Sequence, residues 1–167
     1  WILDKNTGDT LNIFQFSEEI ICTTTPPNIV AENWPNRQGD DNYTLNTETI
    51  NYNITYRNKG NGKAKKVTIE TIIDEHLDAN SLIIKESSFA YEASRIGNLL
   101  TIVFDSIELG SSREEEFGNL SYSFSIKNNT PDKTKIFSSV KITMDNGYEY
   151  TTVPILNTVV TILPCDL

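Results

Sequence analysis

The sequence predicts an all-β fold, an antiparallel β-sandwich with an N-terminal β extension. Three observations predict it. Apolar residues recur at every second position in residues 50–56 and 120–126, the period of a strand with one dry and one wet face. Glycine- and asparagine-rich corners interrupt the chain at the spacing of sandwich strands, every ~8–12 residues. No stretch sustains a 3.6-residue apolar period, and residues 113–116 are too few and too charged for a buried helix.

Residues 48–74 organise the rest. Ile50, Tyr52, Ile54 and Tyr56 alternate with Asn51, Asn53 and Thr55. The corner at 58–62 holds Asn58, Gly60, Asn61 and Gly62, residues that tolerate the positive φ of a reversal. Val67, Ile69 and Thr71 then resume the period of two, so the unit is expected to be a hairpin.

Ahead of it, residues 1–22 form a unit of their own. Trp1, Ile2 and Leu3, then Leu11, Ile13, Phe14 and Phe16, flank a turn-rich spacer at 4–9. That reads as a hairpin, followed by Ile20, Ile21 and Cys22. Residues 23–28 include Pro26 and Pro27, which favour an extended spacer and cannot enter a sheet interior. The chain therefore divides into an apolar extension at 1–22, a Thr/Pro linker at 23–28 and a sandwich at 29–167.

Within the sandwich, residues 29–31 with Trp34 are the expected first strand, and 36–42 form a polar loop. Residues 75–80 read as a loop, followed by strand-like runs at 81–85, 89–91 and 99–104 and a turn at 108–112. Leu120, Tyr122, Phe124 and Ile126 alternate with Ser121, Ser123 and Ser125 in the cleanest amphipathic strand of the chain. Residues 136–144 are expected to pair with 148–153 across Asn146-Gly147, a strong hairpin signal, and 157–163 to close the domain.

At 167 residues the chain suits one domain plus an extension, and can bury a core without metal or disulfides. A formal charge of −9 and a pI near 4.6 argue against a nucleic-acid partner, which calls for a basic footprint. No apolar run approaches the roughly 20 residues of a membrane span. The two cysteines, Cys22 and Cys165, can pair within the chain, pair between copies or remain small unpaired hydrophobes.

Catalytic and metal signals are sparse. His76 is the single histidine, so zinc finds no histidine cluster, and no serine sits in a Gly-x-Ser-x-Gly elbow. No phosphate- or dinucleotide-binding glycine pattern occurs, and no enzyme activity or organic cofactor is expected. Calcium is the one metal with candidate ligands: Asp4, Asn6 and Asp9, or Asp40 and Asp41. Gln15 stands where a calcium loop carries its bidentate glutamate, and both clusters also read as solvated turns. Asn42, Asn53, Asn119 and Asn128 open glycosylation sequons. Asn157 is a possible acceptor for a lysine–asparagine crosslink, although residues 29–34 hold no lysine.

The order of motifs resembles a known repeat. Tyr52-Asn53-Ile54-Thr55-Tyr56, Asn58-Lys59-Gly60-Asn61, Val67-Thr68-Ile69 and Asp74 ahead of Leu77 look like its opening. Gly97-Asn98-Leu99, Leu109-Gly110-Ser111-Ser112 and Tyr122-Ser123-Phe124 look like its middle, and Asn157-Thr158-Val159-Val160 its close. Over residues 29–163 the chain thus resembles the "domain of unknown function eleven" repeats of bacterial and archaeal surface proteins. It departs from them at His76-Leu77-Asp78, where the repeats carry Leu-Pro, and its first 28 residues have no counterpart. The resemblance implies an immunoglobulin-like sandwich in cell-surface, adhesion or filament proteins, without enzyme activity.

Residues 1–22 are too apolar to lie bare in water. They can add strands to their own sandwich or complete the sheet of a neighbouring copy. The expected function is an extracellular, self-assembling subunit of a filament or surface array, joined through Trp1, Ile2, Leu3, Leu11, Ile13, Phe14, Phe16, Ile20 and Ile21. The alternative is a surface adhesin module binding a protein or glycan, with Tyr91, Tyr148 and Tyr150 as contacts.

Overall fold

The computed structural model describes residues 41–58, 63–110, 117–145 and 149–163, and the backbone of residues 28–32. The strands in chain order are β1 (Asn28–Glu32), β2 (Tyr43–Leu45), β3 (Thr49–Arg57), β4 (Val67–Ile72), β5 (Ile83–Ser87) and β6 (Glu92–Ile96). They continue with β7 (Leu99–Phe104), β8 (Phe117–Ser125), β9 (Thr134–Ser138), β10 (Val140–Met144), β11 (Glu149–Thr151) and β12 (Ile155–Val160). Among the described residues there is no α-helix, and one 3-10 turn, Ala79–Ser81, is capped by the Asp78 carboxylate.

Three sheets result, ordered β1-β3-β8-β5, β11-β10-β4-β7-β6 and β2-β12-β9. All named pairings are antiparallel except β2 with β12, which is parallel. The all-β expectation holds, and the expected hairpin at 48–74 does not. β3 pairs with β1 and β8, while β4 pairs with β7 and β10 in the opposite sheet. Both strands carry an apolar face, so burying each against the other across the sandwich serves as well as pairing them side by side. The same happens at 136–144, expected as one strand: β9 and β10 are parted only by Ser139 and belong to different sheets. The Ser139 carbonyl at the corner accepts the Thr71 hydroxyl at 2.9 Å. The β10–β11 pairing across 145–148 occurs as expected.

One core draws on all three sheets. Ile50, Tyr52, Ile54 and Tyr56 of β3 and Leu120, Tyr122 and Phe124 of β8 are at most 2 % exposed. They face Val67 and Ile69 of β4, Leu100, Ile102 and Phe104 of β7, and Val140 and Ile142 of β10. Ile136 and Val159 enter from the three-stranded sheet. Burial of each large side chain contributes on the order of 2 kcal/mol.

The core tyrosines differ in their polar ends. The Ser138 hydroxyl donates to the Tyr52 oxygen at 2.9 Å, and Tyr122 hydrogen-bonds Thr71. The Tyr56 hydroxyl is buried without a partner. Burial pushes all three phenols above their ordinary range, Tyr52 to about 12 despite the opposing bond from Ser138. The Tyr56 ring lies over Gly118 of the adjacent strand, where a Cβ would sit 2.2 Å from ring carbons. Only glycine fits there.

Candidate functional site

The described residues offer open sheet ends rather than a catalytic cleft. The four-stranded sheet ends at β1 and β5, and the five-stranded sheet ends at β11 and β6. β5 and β6 are consecutive, joined by residues 88–91, so the two sheets end on the same side of the sandwich. A groove of about 620 Å³ runs along that side, lined by residues 84–91. Ile84 and Phe89 are packed against the core, Phe89 edge-on to Phe104 at 6.5 Å.

The two edges differ. β5 is broken by a bulge at Lys85, whose ammonium reaches the Asn51 side chain. β6 pairs with β7 through five unbroken partners, and all its residues are exposed. Its turn to β7 is Gly97-Asn98, with Gly97 at φ 59°, the left-handed region a two-residue hairpin turn needs. On the outer face Ile72, Leu99 and Ile96 form a cross-strand apolar row, with Ile72 65 % and Ile96 81 % exposed. On the inner face Ala93 stands opposite the buried Ile102.

A second groove, about 400 Å³, lies where β4 meets the β9–β10 corner, between Ile72, Leu99 and the half-exposed Phe137. Glu70, Asp74 and Lys141 line it as well. Lys141 holds Glu149 at 2.7 Å, a bond that raises the pKa of its ammonium.

The sequence-predicted site residues scatter. Trp1, Ile2, Leu3, Leu11, Ile13, Phe14, Phe16, Ile20, Ile21, Cys22, Cys165, Asp4, Asn6, Asp9, Asp40 and Tyr148 lie outside the described residues. Asp41 accepts the Tyr43 hydroxyl at 3.0 Å, which raises the phenol pKa, and Lys135 stands 3.9 Å away. Among the described residues no group of three or more His, Cys, Asp or Glu could hold a metal ion. Asn42 has φ 44° and is half-buried, and Asn53 is half-buried in mid-sheet between Val30 and Ser121. Asn119 is exposed and accepts the Thr55 hydroxyl at 3.0 Å; Asn128 is exposed in the turn after β8. Tyr91 is 41 % exposed beside β6, and Tyr150 is half-buried on β11.

His76 Nδ1 lies 2.8 Å from Asp74 Oδ1, and its carbonyl accepts the Lys127 amide and the Thr130 hydroxyl. The described ring partner is a carboxylate and no nucleophile, so the pair fastens a loop. Asn157 is fully buried and donates to the Thr44 hydroxyl at 3.3 Å, with a hydroxyl, not a lysine amine, as its described partner.

Sequence reasoning missed β6 and the groove beside it. Glu92-Ala93-Ser94-Arg95-Ile96 shows no apolar alternation, because neither of its faces is covered. The available signal was the Gly-Asn pair between Ile96 and Leu99, a hairpin turn in its own right.

The fold has counterparts among solved structures. The N-terminal domain of the Streptococcus gordonii adhesin Sgo0707 matches with a TM-score of 0.59 at 14% identity, over 81% of this chain and 32% of that one. The C-terminal domain of the Streptococcus pyogenes antigen I/II-family protein AspA matches at 0.56 and 13%, over 82% and 53%. A variant of BcpA, the major pilin subunit of Bacillus cereus, matches at 0.56 and 17%, over 80% and 40%. The chain therefore spans about half or less of the structures it matches, and the likeness shows an immunoglobulin-like sandwich fold. No curated protein matches the sequence. Among the described residues no helix is long and apolar enough to cross a membrane. The resemblance to the "domain of unknown function eleven" repeats marks the fold and not the family: alternating strands with Asn-Gly corners belong to many such sandwiches. The family that matches covers residues 27–159, most of the chain, and so the chain belongs to the Domain of unknown function family DUF7619.

Proposed function

We propose that this chain is a non-catalytic structural module of the extracellular surface, which self-associates through residues 1–22 into a filament or array. The observation that carries the reading is a mismatch between segment and domain. The family match begins at residue 27, so the apolar extension stands ahead of a domain that already has its own core. Such a segment lowers its free energy by occupying a sheet edge, and strand addition supplies backbone hydrogen bonds with side-chain burial. The fold's likeness to a pilin subunit and to adhesin domains supports an exported setting. Partners are then further copies of the chain.

Light scattering and electron microscopy of the purified full chain, against the double variant Ile13→Glu, Phe14→Lys, test this. The unsubstituted chain forms particles that grow with concentration, and the variant remains a folded monomer. An unsubstituted chain that stays monomeric at high concentration contradicts the reading. The adhesin alternative is favoured by the grooves beside Tyr91 and Phe137, and binding of a glycan or host protein by the monomeric variant would support it.

A further inference from the structure

Resting on that self-assembly, we propose that β6 is the receiving edge: residues 11–16 of a neighbouring copy add beside Glu92–Ile96 and extend the five-stranded sheet. Edge strands are ordinarily blunted by bulges, lysines, prolines or short length. Four of the edges here are. β5 carries the Lys85 bulge. β2 and β11 are three residues long, and β11 is guarded by the Lys141–Glu149 pair. β9 carries Lys135, held beside Asp41. β6 has five regular pairs and no lysine, proline or bulge; its charges are Glu92 and Arg95, the latter tied to Asn80 and the Gly97 carbonyl. β1 also has five regular pairs, but it leads straight out of the extension itself.

Each face of the segment meets an apolar strip at the edge. Leu11 and Ile13 point one way in an extended strand, Phe14 and Phe16 the other. A strand apolar on both sides suits few sheet edges, because one side usually meets water. At β6 each side offers some apolar surface: Ile96 points outward with Glu92 and Ser94, and Ala93 inward with Arg95, which donates to Asn80 and the Gly97 carbonyl. The outer one continues the Ile96–Leu99–Ile72 row, and the inner one covers Ala93 and the groove over Ile84 and Phe89. β1, which follows the extension, lies at the end of its sheet opposite β5. A donor at one edge and an acceptor at the other is a head-to-tail contact that need not close, and so propagates.

The test uses the full chain with Cys22→Ser and Cys165→Ser, so that no native thiol competes. One preparation carries Asn12→Cys and the other Ser94→Cys. Mixing them under mild oxidation yields a disulfide-linked pair, and Ala93→Lys in the acceptor abolishes both that link and the polymer. If the unsubstituted chain polymerises but the two single-cysteine chains do not link, β6 is the wrong edge while self-assembly stands. If a double variant carrying both cysteines gives only an internally linked monomer, the segment occupies its own β6 and the neighbour assignment is overturned. If the unsubstituted chain never polymerises, the inference falls together with the reading it rests on.

Discussion

β3 and β8, paired in one sheet, and β5 and β6, consecutive edge strands of different sheets, lie under opposite constraints in one sandwich. β3 is paired on both sides, and its inward side chains are sealed under Val67, Ile102 and Phe104. β8 meets it over nine residue pairs without a break. Among the described residues β5 and β6 each pair on one side only, and every β6 residue is exposed. The interior pair holds the fold, whereas each of the outer strands has one edge with no strand partner among the described residues. On the proposed assembly, stability and association are therefore separable, and substitutions in one region are expected to leave the other property intact.

The largest expected effect comes from alkali acting on the sealed region. An unfolded tyrosine ionises near pH ~10, whereas burial holds Tyr52, Tyr56 and Tyr122 protonated in the fold well above that, Tyr52 to about 12. These phenols contribute fully below pH ~10, and the contribution falls as the pH rises toward about 12. The loss is roughly 1.4 kcal/mol per pH unit for each tyrosine, because the unfolded chain sheds protons that the folded one retains. Denaturant midpoints followed by circular dichroism at about pH 9, 10 and 11 show it. A flat midpoint would mean the rings are less sealed than described.

Next in size is Gly118→Ala. The added methyl meets the Tyr56 ring, and displacing that ring from the core costs about 1–3 kcal/mol by thermal or chemical denaturation. The smallest is a contrast between two hydroxyls. Tyr52→Phe leaves the buried Ser138 hydroxyl unpaired and costs about 1 kcal/mol, while Tyr56→Phe removes a group that bonds to nothing and is neutral or slightly stabilising. Equal losses for the two would show that the polar ends do not govern these sites. None of these changes touches β6, so on the proposed assembly association per folded molecule is expected to be unchanged.

The same contrast explains what the sequence reveals. β3, β8 and the β10–β11 turn are legible because one face of each strand is dry, and burial writes its period into the residues. Sheet membership is not legible. The 48–74 unit and residues 136–144 look continuous, because crossing between sheets needs only a corner such as Ser139. β2 is too short to show a period, and its parallel pairing with β12 joins residues more than a hundred positions apart. β6 stays hidden because an exposed edge is under no demand to alternate. The open side was missed for the very reason that it is open.

Hydrogen exchange measured on the assembled full chain and on the monomeric Ile13→Glu, Phe14→Lys variant tests the central claim most directly. Amides of β3 and β8 are protected in both samples, and those of β6 exchange fast in the monomer and slowly in the assembly. Unchanged exchange at β6 on assembly, with new protection elsewhere, would contradict the division between a sealed interior and a receiving edge.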